Sequence, residues 1–171
     1  FSVRRISLFL YLLLFLPLSV RAQESLALSI TPPLFQLSVA PETVWTGTLK
    51  VINTNPFELT VYADVFDFEA SGEEGHGRFV AASESDPDAA RHSFSRWIEI
   101  SREPIEVARE SSADIPFTVR VPANADPGGH SAAIVIGNEP PPPQRGGATI
   151  QVSSFVSSLV FTQSLSQGRT P

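Results

Sequence analysis

The stretch GEEGHGRF, residues 72–79, gathers Glu73, Glu74 and His76, with Asp67 and Glu69 just upstream. Clustered carboxylates can supply oxygens to a hard cation, and calcium takes about six to eight of them. Calcium loops alternate Asp and Asn ligands along the chain, and this stretch lacks that ladder, so it reads as an acidic hairpin tip kept soluble by charge. No metal site is expected. A second stretch, SESDPDAARHSFSRW (83–97), holds the Ser, Asp and His of a nucleophilic triad. Triads are made by geometry rather than by proximity in sequence, and no G-x-S-x-G elbow occurs anywhere in the chain. His92 is expected on a solvated loop or capping a turn. With three histidines and no cysteine, the residue inventory predicts no enzyme, no catalytic residue and no cofactor.

The aromatic residues are the better candidates for contact. Trp45 and Trp97 lie in alternating segments and are predicted to anchor a core rather than to stack on sugars. In ELTVYADVFDFEA (58–70) the residues Leu59, Val61, Ala63 and Val65 form one face. Tyr62, Phe66 and Phe68 fall on the opposite face and are the candidates for meeting a ligand or partner. The segment ATIQVSSFVSSLVFTQ (148–163), with Val152 and Phe155, is serine-rich yet β-prone. It is expected either to add a strand to the domain or to begin a second one, and an apolar edge here would invite strand addition by a partner.

The elements that carry these residues are read from the ends inward. Residues 1–22 show Arg4 and Arg5, an apolar run from Leu8 to Leu16, and a small-residue pattern at Val20-Arg21-Ala22. That is the layout of a secretory signal peptide. The apolar run is shorter than the roughly 20 residues a membrane span needs, and Pro17 stands directly at its end. Cleavage after Ala22 leaves nine basic against eighteen acidic side chains, a net charge of −9. Such a surface repels phosphates, so no nucleic-acid partner is expected. The absent cysteines mean that an exported chain of this size relies on burial without disulfide staples.

Short strands punctuated by turns fill the rest: 26–31, 34–39, 43–53, 58–70, 96–102, 104–109, 114–121, 129–137 and 149–163. Pro32-Pro33 cannot pair in a ladder and marks an edge where the first strand switches sheets. Segments 104–109 and 114–121 are expected to pair, and a helical turn is expected from Pro87 to Phe94. No amphipathic helix is available to cover a parallel sheet, so the fold class is an all-β antiparallel sandwich. It is expected to span residues 24–138, followed by a Pro/Gly-rich linker or loop at 139–148 and a trailing β region at 149–171.

The stretch VPANADPGGH (121–130) ends one strand at Pro122 and offers Gly128 and Gly129 for positive φ. Together with the turn Val39 to Thr43 around Pro41, the strand ending at Asn53, and the run Ile115 to His130, it carries a resemblance. Residues 26–137 look like the immunoglobulin-like N-terminal domain of the WxL-interacting cell-surface proteins. Glu42 directly follows Pro41, where that family often has an intervening glycine. The resemblance implies an immunoglobulin-like sandwich and a non-catalytic cell-envelope protein whose partner is peptidoglycan or a surface protein. It also implies a second domain, a transmembrane anchor and a basic tail beyond SQGRTP, so a truncated chain is expected. The same turns recur in accessory domains of secreted glycoside hydrolases and in pilus chaperones, whose paired basic anchor residues have no identifiable counterpart here.

Overall fold

A computed structural model of the chain describes residues 26–71, 76–80, 88–140 and 155–164. The signal-peptide segment, the linker from residue 141 onward and Val152 lie outside the described residues. Two sheets are stacked. The four-stranded sheet runs in the order β1 (Leu28–Thr31), β3 (Val44–Asn53), β8 (Ser111–Arg120), β6 (Ile98–Ile100). The six-stranded sheet runs β2 (Leu34–Val39), β10 (Phe155–Ser164), β9 (Gly128–Gly137), β4 (Leu59–Ser71), β5 (His76–Val80), with β7 (Ile105–Val107) also paired to β4.

Alternation places the core between the sheets. Leu49 and Val51 of β3 and Ile115, Phe117 and Val119 of β8 face Val61, Ala63 and Val65 of β4, Ile134 and Ile136 of β9, and Val160 of β10, all buried. The expected inward set of the 58–70 strand is therefore the observed one. The proline pair also acts as read. β1 pairs with β3 in one sheet, the chain crosses at Pro32-Pro33, and β2 pairs in parallel with β10 in the other.

Several expectations are corrected. Trp97 is buried, but it sits in a 3-10 turn (Phe94–Trp97) that follows a one-turn helix α1 (Ala89–His92), and the strand behind it shrinks to Ile98–Ile100. Its indole Nε1 donates to the Ala90 carbonyl at 2.8 Å, so the ring fastens this turn to the end of the sandwich. Segment 104–109 pairs with β4 rather than with 114–121, because β8 is already flanked by β3 and β6. The turn after Pro122 does not form a hairpin: it carries the chain from β8 in one sheet to β9 in the other. Gly128 has φ of 133°, and Gly129 is not in the positive region. Glu42, at the departure from the family pattern, takes the left-handed φ of 64° itself. The sandwich also extends beyond residue 138, since β10 lies between β9 and β2.

Turn side chains replace disulfides. Asn53, fully buried at the end of β3, donates through Nδ2 to the carbonyls of Phe57, Val107 and Ala108, at 2.8, 3.1 and 3.1 Å. Its Oδ1 accepts from the backbone N–H and Nδ2 of Asn55, and Asn55 in turn pairs with both backbone groups of Ala27.

At the other end of β3, Trp45 folds over Gly47 and meets Phe35 and Phe117 at ring-centroid distances of 5.7 and 5.6 Å. A Cβ on Gly47 would stand 2.4 Å from the indole and 2.9 Å from Phe117. Gly47→Ala is expected to cost about 1–3 kcal/mol through overpacking. Urea denaturation reads this as a lower midpoint at unchanged slope; an unshifted midpoint contradicts the packing described.

Candidate functional site

The outward face of the six-stranded sheet departs from the alternation of a half-solvated antiparallel sheet, whose outer residues are ordinarily polar. Register places Phe66 beside Ala133 and Leu159, and Phe68 beside Phe79. Phe66, Ala133 and Val135 are buried as a second apolar cluster, packed with Phe79 and Leu159. Phe79 lies 6.4 Å from Phe66, 5.9 Å from Phe68 and 6.1 Å from Phe155, ring centroid to centroid. Phe155 belongs to β10, two strands away from β4, so the sheet coils enough to bring the β4–β5 hairpin over this face. Of the predicted contact residues, Phe66, Phe68 and Phe155 are thus brought together, with Phe66 buried rather than available. Phe79, which is not among those predicted contact residues, is what joins them: a short strand at 78–81 is legible in the sequence, but not that it lies over this face. Tyr62 is only half-buried and lies across from Gly137, on the row of Phe155. Beside it Asp64 is buried, its carboxylate meeting the Arg102 guanidinium at 2.9 Å and the Val65 N–H at 2.9 Å.

The edge of this face is incomplete. β10 pairs with β9 along its whole length from Phe155 to Ser164, but with β2 only from Leu159 onward. The N–H of Leu159 donates to the Pro33 carbonyl at 3.0 Å, and Ser158 Oγ donates to the Pro32 carbonyl at 2.8 Å. Amide direction alternates along a strand. The backbone groups of Phe155 and Ser157 therefore point the same way as those of Leu159, toward the side where β2 has not begun. No described strand pairs there. Phe155, 47% exposed, and Leu34, 41% exposed, flank this notch on the outward face.

Further along the same face is a shallow hollow of about 460 Å³, lined by Gln36, Ser131, Phe161 and Gln163 among others. Its lining carries no Asp, Glu, Lys or Arg but includes His130, and Phe161 is 36% exposed.

The acidic and triad-like stretches lead elsewhere. Residues 72–75 lie outside the described residues, and among the described residues no three His, Asp or Glu side chains gather as metal ligands. Asp67 is engaged structurally: Oδ2 accepts from Ser93 Oγ at 2.5 Å and Oδ1 from the Ser95 N–H at 2.8 Å, which pins the 3-10 turn to β4. His92 is exposed, at the last position of α1 rather than on a loop. Pro41, Asn53, Pro122 and Gly128 serve their turns. No described helix is long and apolar enough to cross a membrane.

The two stacked sheets define an immunoglobulin-like β-sandwich, and the solved structures agree. The chain is similar to the class 5 fimbriae chaperone CfaA at 10% identity and a TM-score of 0.51, over 84% of this chain and 59% of that one. It is similar to a chain of a chaperone–tip adhesin complex of CFA/I fimbriae biogenesis at 8% identity and 0.51, over 83% and 58%. A family 123 glycoside hydrolase from Clostridium perfringens matches at 11% identity and 0.51, over 82% of this chain and 27% of the hydrolase. The chain thus spans less than two thirds of each of these three. No family model and no curated protein matches it.

Asp67→Ala is expected to cost about 2 kcal/mol, the scale of hydrogen bonds to a charged acceptor with two donors left behind. Differential scanning calorimetry checks it; an unchanged melting temperature would remove Asp67 from its fastening role.

Proposed function

We propose that this chain is an exported, non-catalytic module that binds a protein partner by accepting one of its β-strands, in the manner of an assembly chaperone. The notch carries this reading: among the described residues no strand pairs with the backbone groups of Phe155 and Ser157 on the side of β10 that β2 does not reach. Unpaired strand edges recruit strands from other chains. Phe155 and Leu34, exposed at the two ends of the notch, are what a strand laid there would cover. The leader read at residues 1–22 supports export, and the likeness to CfaA supports a chaperone-type fold as the scaffold.

Ser157→Pro separates this role from folding. The proline removes an N–H that faces the notch and leaves the ladder to β9 intact, a position where strands tolerate proline. A ten-residue peptide alternating valine with threonine serves as the probe. Hydrogen exchange should show the Phe155 and Ser157 amides fast in the free protein and protected by the peptide, with binding lost in Ser157→Pro at unchanged stability. Amides already protected in the free protein would sink the reading.

Peptidoglycan binding, which the family resemblance implies, is favoured by a different feature. In the hollow an exposed ring, Phe161, stands among the amides of Gln36 and Gln163 with no Asp, Glu, Lys or Arg in the lining. Pockets of this composition, apolar with a few placed polar groups, suit a neutral sugar's C–H face and hydroxyls. Co-sedimentation with purified sacculi should retain the protein and lose about ten-fold in affinity with Phe161→Ala, one aromatic contact's worth. Failure to sediment would leave the protein partner alone.

A further inference from the structure

His130 is the inward-facing residue near the start of β9, and its two ring nitrogens both face carbonyl oxygens. Nε2 lies 2.8 Å from the Asp126 carbonyl and Nδ1 lies 3.2 Å from the His92 carbonyl. A carbonyl only accepts, and a neutral imidazole carries one N–H. The ring with two protons satisfies both acceptors; the neutral ring satisfies one and turns a lone pair toward the other. The ring also lies 4.6 Å from Trp97 and 6.5 Å from Phe94, centroid to centroid, where an imidazolium gains from the aromatic faces.

A second observation concerns the residue directly across the ladder. Thr162 pairs with His130 in register, faces inward with it, and is buried. Its Oγ1 is the one buried side-chain polar atom without a hydrogen-bond partner among the described residues. Directly opposed residues hold their Cβ atoms about 5 Å apart, so this hydroxyl is within reach of a reoriented ring. A hydroxyl can donate to the lone pair that only the neutral imidazole offers.

We infer that His130 is a proton-operated latch: protonated, it bridges the loop 121–127 to α1, and deprotonated, it releases one carbonyl and turns to the Thr162 hydroxyl. The latched arrangement holds the additional proton, so acid favours it and rising pH releases it. Fasteners between these segments also include the Asp126 N–H to the Arg91 carbonyl at 3.0 Å and the Arg91 guanidinium to the Asp126 carboxylate at 2.7 Å. The charged and titratable groups on the surrounding elements are Asp126 on the loop, Asp88, Arg91 and the His92 ring at α1, Arg96 on the 3-10 turn, and Asp67 on β4, whose carboxylate is taken by Ser93 and Ser95. β2 and β10 bring Leu37 and Thr162 rather than a charge. Gly129 and His130 also line the hollow around Phe161, so the latch bears on one of its walls.

Two measurements on the intact chain test this. Ring ¹⁵N shifts of His130 should show both nitrogens protonated at pH 5.5 and a single tautomer at pH 8. The protection factor of the Asp126 amide, which corrects for intrinsic base catalysis, should fall about five-fold over that interval, the scale of one hydrogen bond. Thr162→Val removes the alternative partner and should carry the latched state to higher pH, while His130→Gln should make Asp126 protection independent of pH. A neutral His130 ring at pH 5.5, or the same pH profile in His130→Gln as in the unaltered protein, overturns the latch.

Discussion

The crossing at Pro32-Pro33 is the constraint on which the rest of the sandwich depends. Two consecutive residues without an N–H cannot sustain a ladder on either side. The chain therefore leaves β3 at Thr31 and joins β10 only at Leu34. One strand's length is thus divided between the sheets, tying them together at an edge without a disulfide. The same division shortens β2, so among the described residues the first residues of β10 are paired in a ladder on one side only. Closure of the sandwich and incompleteness of its edge have a single cause.

Asn53 shows how a chain without cysteine fixes its far end. A buried amide is costly unless satisfied, and this one makes five contacts with atoms from two other segments, residues 55–57 and 107–108. The end of β3, the turn before β4 and the loop after β7 cannot move independently while it is bound. The contrast with Thr162 is informative. Both are polar side chains turned into the core, but Asn53 sits where loops converge and carbonyls are plentiful, whereas Thr162 sits mid-ladder, where backbone carbonyls are already committed. An orphan hydroxyl in such a place points to its neighbour, and that neighbour is the histidine.

Alternation and turn chemistry made much of the fold legible. Leu59 to Val65, the sheet switch at the proline pair, and the end of β8 before Pro122 all follow from side-chain period and from residues that cannot continue a ladder. Partner choice did not follow. Nothing in IEV says that it pairs with β4 rather than β8; that depends on which edges other strands have already taken. Trp97 was legible as buried, but its 3-10 turn was not, because the turn exists through contacts with Asp67 and Ala90 from distant or irregular chain. On the candidate face, Phe66, Phe68 and Phe155 stood out by type and parity, while the place of Phe79 over it gave no signal, since coiling of the β4–β5 hairpin is a property of the whole sheet.

The outward apolar cluster bears on what the notch is for. Apolar residues scattered singly on a surface need no explanation, but contiguous ones do. Here Phe66, Ala133 and Val135 are buried by neighbours on their own face, so the sheet has already covered the middle of the patch using Phe79 and Leu159. What remains exposed lies away from that middle: Phe161 along β10, and Phe155 and Leu34 on either side of the stretch of β10 that no described strand pairs. A face that was merely sticky would be exposed at its centre. One that is dry at the centre and open along a backbone edge has part of its remaining apolar surface where a single added strand would cover side chains and amides together.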